Sequence, residues 1–411
     1  LGIPCQGYHV AVHGKRIVIS ASDKDGLFYG CRYLIKQLLQ KDRVAPRTDK
    51  PAVLERGLSL DIGRKYYSRE WIEQLIKEMS WSNMNALILH FSEEMGLGLE
   101  SKSYPWLAGR DGSLCTQAEI ATDSRYLTQE ELRRIAEVAK LYHVELIPSF
   151  DSPGHLDYIV KTYNAYYGKT DAYGIGNYFS YNGKTALVQG SRNKAYSRGI
   201  DISNPKAVAF IHSLIEEYAL LFKELGATKF DIGGDELLGW GSAVTTKVPK
   251  WQQLDHWKAY AIQRTGNDTA VAYDGFLLYM NDLYDLVSGY GYTSVRMWND
   301  DVLKSGTGWN KVVQLSTDVD ILYWYPSNTV DTYVNAGYNV INILDGYNYF
   351  AMVTAGTYGN YGGDNLIVKG LMLPSAEGIY TKWTPYVFSY TYANGTKLGT
   401  DISTANKGAV I

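Results

Sequence analysis

Two acids stand side by side in this chain, Asp235 and Glu236, directly after Gly233-Gly234 and the short apolar run Lys229 to Ile232. Adjacent residues on an extended strand point to different sides, so the pair suits two separate tasks better than one shared proton. An acid for a leaving oxygen and a carboxylate that stabilises positive charge are what glycoside cleavage needs. Solvated loop acids would look similar in sequence. The glycines, however, let backbones approach closely, and two acids at a buried strand end are expensive without a purpose.

Other reactive residue types recur in the same position, just after an apolar run. Arg64 follows the first run; His90 and the pair Glu93 and Glu94 mark the second; Asp151 and His155 follow the third. Trp298 and Asp300 follow the fifth, Trp324 the sixth, Tyr347 the seventh and Glu377 the eighth. A carboxylate pair, a cation and several aromatics at one mouth would serve acid catalysis, charge stabilisation and sugar stacking. Each has a plainer reading. His155, after Pro153-Gly154, is either a turn residue or, beside Asp151, part of an acid network. Trp298 and Trp324 fit barrel core as well as a pocket wall. Arg64 is either an ion-pair partner or a fork for two sugar hydroxyls.

The elements that must position them follow a regular scheme. From Arg56 onward, short apolar runs alternate with helix-period segments, the pattern of parallel strands with crossover helices. The runs are Gly57 to Gly63, Ala86 to Phe91, Val144 to Phe150, Lys229 to Ile232, Thr293 to Met297, Asp320 to Tyr325, Asn339 to Leu344 and Gly370 to Leu373. Eight is the number of a (β/α)8 TIM barrel, an α/β fold whose sites lie at the C-terminal strand ends. Thr128 and Glu131 predict a capping box, and Asn204-Pro205 opens a helix that Gly226 closes. Residues 1–48 predict a small, truncated α+β segment. It comprises a hairpin turning at His13-Gly14-Lys15 and an amphipathic helix through Leu27, Cys31, Leu34, Ile35 and Leu38. Residues 49–411 are then the barrel domain, with the Gly, Tyr and Asn-rich stretch Asp157 to Arg198 as an elaborated active-site loop.

Composition narrows the ligand. With 45% apolar and 20% charged residues, the chain has an ordinary globular balance, and no stretch approaches the roughly 18 apolar residues of a membrane span. A net charge of −3 with dispersed Lys and Arg gives no footprint for nucleic acid. The 35 tyrosines and 10 tryptophans suit sugar faces and burial alike. Three cysteines, Cys5, Cys31 and Cys115, cannot all pair within the chain and match no zinc spacing. The seven histidines read as scattered, so neither metal nor cofactor is expected. The chain opens at Leu1 without a leader, so any signal peptide is expected to lie outside it, with a secreted or cell-surface location favoured over a cytoplasmic one.

At these same residues the chain resembles family-20 glycoside hydrolases, the β-N-acetylhexosaminidases, including dispersin-like and lacto-N-biosidase-like members. The most specific element is Phe230-Asp231-Ile232-Gly233-Gly234-Asp235-Glu236, with Asp231 where the family commonly has His. Supporting segments run from Gly57 to Arg64, from Ile147 to His155 and from Arg296 to Asp300. The resemblance implies substrate-assisted catalysis, in which the sugar's 2-acetamido oxygen attacks the anomeric carbon and forms an oxazolinium ion. It implies Glu236 as general acid and base, Asp235 as orienter of the acetamido group and Tyr347 as donor to its oxygen. Trp298 and Trp324 would wall the pocket, Arg64 would grip outer hydroxyls, and Asp151, His155 and Glu93 or Glu94 would support Glu236. Two departures stand out: Glu rather than Asp at the second strand, and Leu373-Pro374-Ser375-Ala376-Glu377 where the family carries a Trp before the acid, unless Trp383 replaces it. The expected activity is release of terminal β-linked GlcNAc or GalNAc from an oligosaccharide or glycoconjugate. Release of a GlcNAc-containing disaccharide is the alternative, and a non-catalytic glycan-binding protein on the same barrel is a further one.

Overall fold

The computed structural model describes residues 2–111, 124–168, 174–181, 184–188, 197–237, 251–304, 309, 312–326, 328–344, 383–391, 397–399, 401 and 406–410. A hairpin comes first. β1 (Tyr8–His13) and β2 (Arg16–Ala21) pair antiparallel with His13 opposite Arg16, leaving a two-residue turn in which Gly14 takes φ +61°, the left-handed conformation such turns demand. α1 (Lys24–Leu39) begins where the Gly26 N–H donates to the Asp23 side chain at 2.7 Å, and β3 (Arg47–Asp49) pairs with the other edge of β1.

The helix is present, but its buried face is not the expected one. Leu27, Cys31, Ile35 and Leu38 are exposed, whereas Tyr29, Gly30 and Arg32 are buried. The reason is a seat with two sides. Gly30 lies against Tyr8 and Ile19 of the hairpin, while Arg32 turns to the barrel helices, stacking over Trp81 at 4.4 Å and donating to Ser80 at 2.7 Å.

The alternation then runs as expected. β4 (Glu55–Asp61), α2 (Arg69–Trp81) and β5 (Ala86–His90) are followed by three short strands, β6 (Ser92–Glu93), β7 (Gly96–Leu97) and β8 (Gly109–Arg110). Next come α3 (Gln129–Leu141), β9 (Glu145–Ser152), α4 (Asp157–Tyr166), the hairpin β10 (Tyr178–Tyr181) and β11 (Lys184–Leu187), α5 (Pro205–Glu224) and β12 (Lys229–Gly233). The second half holds α6 (Asp255–Thr265), α7 (Ala272–Gly289), β13 (Ser294–Trp298), β14 (Asp320–Tyr323), α8 (Val330–Asn335) and β15 (Val340–Asn342), then β16 (Ser389–Thr391), β17 (Lys397–Gly399) and β18 (Asn406–Val410). The helix starts follow their sequence signals. The Glu131 N–H donates to Thr128 Oγ1 at 3.1 Å while the Thr128 N–H donates to the Glu131 carboxylate at 2.8 Å, and Gly226 at φ +98° stands just beyond α5.

Eight strands close into a barrel in the order β12-β13-β14-β15-β18-β4-β5-β9, every neighbour parallel. Seven come from the expected apolar runs. The eighth position is taken by Asn406–Val410, a strand not among the expected runs, and the expected run 370–373 lies outside the described residues. Outside the barrel wall, Phe91, Phe150, Tyr218 and Phe222 pack between strands and helices. Inside it, Ile88, Ile147, Leu322 and Ile341 form a separate apolar layer on which Trp298 and Trp324 rest.

That interior also carries charge. Arg296 donates to both oxygens of Glu55 at 2.8 and 2.6 Å, and Asp231 lies 3.8 Å from the same guanidinium. Burial pushes the Asp231 carboxyl up to about 7 even with Arg296 beside it, so the group at the family's histidine position holds its proton far more readily than an ordinary aspartate. Burial acts on Glu55 in the same sense, but Arg296 outweighs it and holds Glu55 below its ordinary value. Glu55→Ala would strand a buried guanidinium, for which the expected cost is about 3–5 kcal/mol. Urea unfolding monitored by circular dichroism reads this directly, and a midpoint equal to that of the parent would show that Arg296 does not depend on Glu55.

Candidate active site

The end of β12 is shaped by its glycines. A Cβ on Gly233 would come within 2.6 Å of the Ser152 backbone nitrogen and 2.7 Å of Asp151 Cα, so only glycine lets β12 press against the end of β9. The backbone leaves the strand with φ +79° at Gly233 and +93° at Gly234, and then φ +44° at Glu236. A left-handed glutamate costs about 1–3 kcal/mol and persists only where its surroundings enforce it.

Arg198 does the enforcing. Its Nε donates to the Glu236 carbonyl at 2.8 Å and its Nη2 to Glu236 Oε2 at 2.9 Å, so one buried guanidinium fixes both the backbone and the carboxylate. His155 converges on the same place. Its Nε2 stands 3.3 Å from both Asp235 Oδ2 and Glu236 Oε2, and its Nδ1 reaches Glu93 Oε2 at 2.7 Å and Glu94 Oε2 at 3.1 Å. Burial and the Arg198 charge push the His155 imidazole down, but its surrounding carboxylates, Glu93 and Asp235 foremost, outweigh them and lift it well above its ordinary value. Arg198 Nη2 also approaches His155 Nε2 at 2.6 Å, so the guanidinium and the imidazole converge on the same Glu236 oxygen. Burial raises Asp235 and Glu236, yet His155 and Arg198 prevail and hold both below their ordinary values.

A second cation stands behind this group. Arg64 contacts Asp61 at 2.9 Å, Glu93 at 2.5 Å and Glu94 at 2.9 Å, and about a quarter of its side chain remains exposed. The neighbouring glutamates diverge in consequence. Burial carries Glu93 up to about 7, whereas Arg64 overcomes burial at Glu94 and holds it well below the carboxylate range. His90 links the two halves, with Nε2 3.2 Å from Asp151 Oδ2 and 3.4 Å from Glu93 Oε1 and Nδ1 2.9 Å from Ser149 Oγ. Burial, helped by the Asp235 charge, raises the Asp151 carboxyl.

The far side of the mouth is aromatic. Trp324 Nε1 donates to Asp300 Oδ2 at 2.5 Å, while the buried Asn299 accepts the Trp324 N–H at 3.0 Å and donates to the Tyr325 carbonyl at 2.6 Å. Desolvation and the nearby Asp235 charge push Asp300 well above its ordinary value. Trp298 is partly buried, and its Nε1 has no partner among the described residues.

The structure thus brings together Arg64, His90, Glu93, Glu94, Asp151, His155, Asp235 and Glu236, with Asp300 and Trp324 joined to them through the Asp235 field. Tyr347 and Glu377 lie outside the described residues; Trp383 is partly buried against the core. Sequence reasoning missed Arg198, Asp61 and Asn299. Arg198 ends a long loop rather than a strand and carries no local motif; Asp61 and Asn299 fall within the segments 57–64 and 296–300, where Arg64, Trp298 and Asp300 drew the functional reading. Of the seven histidines, His90 and His155 converge on this centre. Asp61/His90/Glu93, Glu93/Glu94/His155 and Asp151/His155/Asp235 each bring ligand atoms within 4.8 Å of one another, a spacing that could hold a metal ion, although Arg64 and Arg198 already neutralise much of that charge.

The loop that delivers Arg198 is closed at its base. The Leu156 N–H donates to the Arg198 carbonyl at 2.8 Å, the Ile200 N–H to the Pro153 carbonyl at 3.0 Å, and the Arg198 N–H to the Val188 carbonyl at 2.7 Å. Departure and return therefore lie side by side above β9.

Comparison with known proteins agrees with this geometry. The family model for the catalytic domain of glycosyl hydrolase family 20 matches residues 55–394. A lacto-N-biosidase of Bifidobacterium bifidum is 25% identical over 344 residues, 82% of this chain and 26% of that protein. A β-hexosaminidase of Vibrio vulnificus is 24% identical over 373 residues, 84% of this chain and 42% of that one. The chain therefore spans less than half the length of either relative. Among solved structures, a β-N-acetylhexosaminidase from Bacteroides fragilis superposes with a TM-score of 0.67 at 20% identity, covering 93% of this chain and 68% of that one.

The paired glutamates make a pH-dependent prediction. Glu94 sits below its ordinary value, so the stability it brings is full above the unfolded carboxyl value and fades as pH falls through the folded one. Glu93 sits above its ordinary value and keeps a proton that the unfolded chain loses, so it weakens the fold as pH rises toward 7. Arg64→Met removes the first effect and deepens the second. Its loss of stability is expected to be already present near pH 4 through Glu94, to shrink only as pH falls well below the ordinary carboxyl range, and to grow toward neutrality through Glu93, in urea titrations at several pH values; a constant loss would mean that Arg64 acts by packing alone.

Proposed function

The chain belongs to glycosyl hydrolase family 20, and from that premise we propose that it is a retaining enzyme that removes terminal β-linked N-acetylhexosamine, GlcNAc or GalNAc, by substrate-assisted catalysis. The observation that carries the reading is the adjacent pair Asp235 and Glu236, turned apart by a left-handed glutamate and facing Asp300 and Trp324 across one mouth. In the first step the substrate's acetamido oxygen bonds to the anomeric carbon as the glycosidic bond breaks, and the Glu236 proton passes to the leaving oxygen. Asp235 accepts the acetamido N–H and stabilises the positive oxazolinium ring. In the second, water attacks the same carbon, its proton goes to the Glu236 carboxylate, and the ring opens with configuration retained. Tyr347 is assigned as the donor to the acetamido oxygen, Trp298 and Trp324 as the walls around the sugar, and the exposed edge of Arg64 as the contact for outer hydroxyls. Asp151, His155, Glu93 and Glu94 support the acid pair from beneath, and Glu377 contributes a sugar contact.

The similarity to a lacto-N-biosidase, with the tryptophan missing before Glu377, favours release of a disaccharide as the second reading. Hydrolysis of p-nitrophenyl β-GlcNAc, β-GalNAc and β-lacto-N-bioside separates the two. Cleavage of a monosaccharide substrate is expected, with kcat falling about 10²–10⁴-fold in Glu236→Gln. Cleavage of the bioside alone would establish the second reading, and no cleavage of any would leave a glycan-binding protein.

A further inference from the structure

The residue that the proposed reaction does not yet employ is Arg198, and it touches the acid directly. Its guanidinium is buried, with one nitrogen on the Glu236 main chain and another on the Glu236 carboxylate. We propose that Arg198 is a positioning residue for Glu236: one guanidinium pins both the main chain and the carboxylate of the catalytic acid, so that Glu236 is aimed by Arg198 and takes up its proton against the Arg198 charge. This rests on the assignment of Glu236 as the acid.

Three observations converge on it. The first is the left-handed backbone at Glu236, φ +44°, which needs a clamp, and the Arg198 Nε on the Glu236 carbonyl supplies one. The second is charge. Among the described residues Glu236 is faced by Arg198 from the loop before α5, by His155 from the turn after β9, by Asp235 from its own strand and by Asp300 from the segment after β13. The two cations are in contact with its oxygen and the two acids act through space. An acid catalyst in an apolar pocket normally has its proton affinity raised, as burial alone would do here. The cations reverse that sense, and the carboxyl lies below its ordinary value. The third is that Arg198 is itself held. Glu236, Asp157, Glu94 and Glu93 all strengthen its charge against burial, and its backbone is fixed at the loop base through Val188 and Leu156. A guanidinium placed this way is committed to Glu236 rather than left free to leave the site.

The sign of the effect follows. A general acid works only while protonated, so kcat/KM falls as pH rises past the acid's value in the free enzyme. With Arg198 in place that fall belongs in the acid range. Without it the fall moves to higher pH, by about one unit or more, the usual effect of an adjacent opposite charge.

The test is the pH profile of kcat/KM for a disaccharide bearing terminal β-GlcNAc, whose alcohol leaving group needs the proton, in the parent, Arg198→Gln and Arg198→Lys. The parent is expected to lose activity already as pH rises toward the ordinary glutamate value of about 4.3. Arg198→Gln is expected to shift that limb upward and to lower kcat, and Arg198→Lys to restore the parent limb in part by returning the charge without the fork. A parent limb clearly above the ordinary glutamate value of about 4.3 overturns the proposal without recourse to any variant. So does an unshifted limb in Arg198→Gln, which would make Arg198 a loop anchor only. Full activity in Glu236→Gln would instead overturn the assignment of the acid, a result distinct from either.

Discussion

The structure around the mouth of this barrel depends on a balance of buried charge. Asp61, Glu93, Glu94, Asp151, Asp235 and Glu236 stand within one connected network, and the groups that make their burial tolerable are Arg64, His90, His155 and Arg198. An isolated carboxylate in such surroundings would surrender its charge, because desolvation outweighs any single weak contact. Here each acid touches or faces a cation, and the backbone is shaped to make that possible. Gly233 lets β12 approach β9 closely enough for His155 to reach both strands, and the left-handed turn at Glu236 brings its carboxylate under Arg198.

The balance makes like residues unlike. Glu93 and Glu94 are neighbours in sequence, equally buried, and bridged by an N–H···O contact at 2.8 Å, yet one is drawn toward neutrality and the other held ionised. Across the mouth, Asp300 is pushed toward its neutral form by the same Asp235 charge that His155 stabilises. Separation of proton affinity among chemically identical groups is how neighbouring carboxyls in one charged network come to hold a proton in one place and a charge in another.

Much of this was legible in the sequence, for a physical reason. Barrel strands advertise themselves by apolar runs, and residues immediately after them must lie at the C-terminal face, so Arg64, Asp151, His155, Asp235 and Asp300 could be placed by counting. The strand Asn406–Val410 was not, since the earlier run Gly370 to Leu373 already supplied an eighth segment by apolar content, and only the backbone pairing with β15 and β4 identifies the later one. The α1 stripe misled because apolar spacing predicts which face a helix would bury against one partner, and this helix is seated between two. Arg198 was invisible for a different reason. Its contact with Glu236 spans 38 positions and rests on the path of a loop, which no periodicity encodes.

The closed base of that loop bears on its length. Leu156 and Arg198 are hydrogen-bonded neighbours although the chain between them makes a long excursion, so the excursion joins the barrel as an ear joins a cup. Its interior can gain or lose residues at a small entropic penalty, roughly 0.6 kcal/mol for each doubling of length, while the stem keeps its register. A change of length within this ear can therefore be absorbed while the stem still delivers Arg198 to the charge centre beneath it.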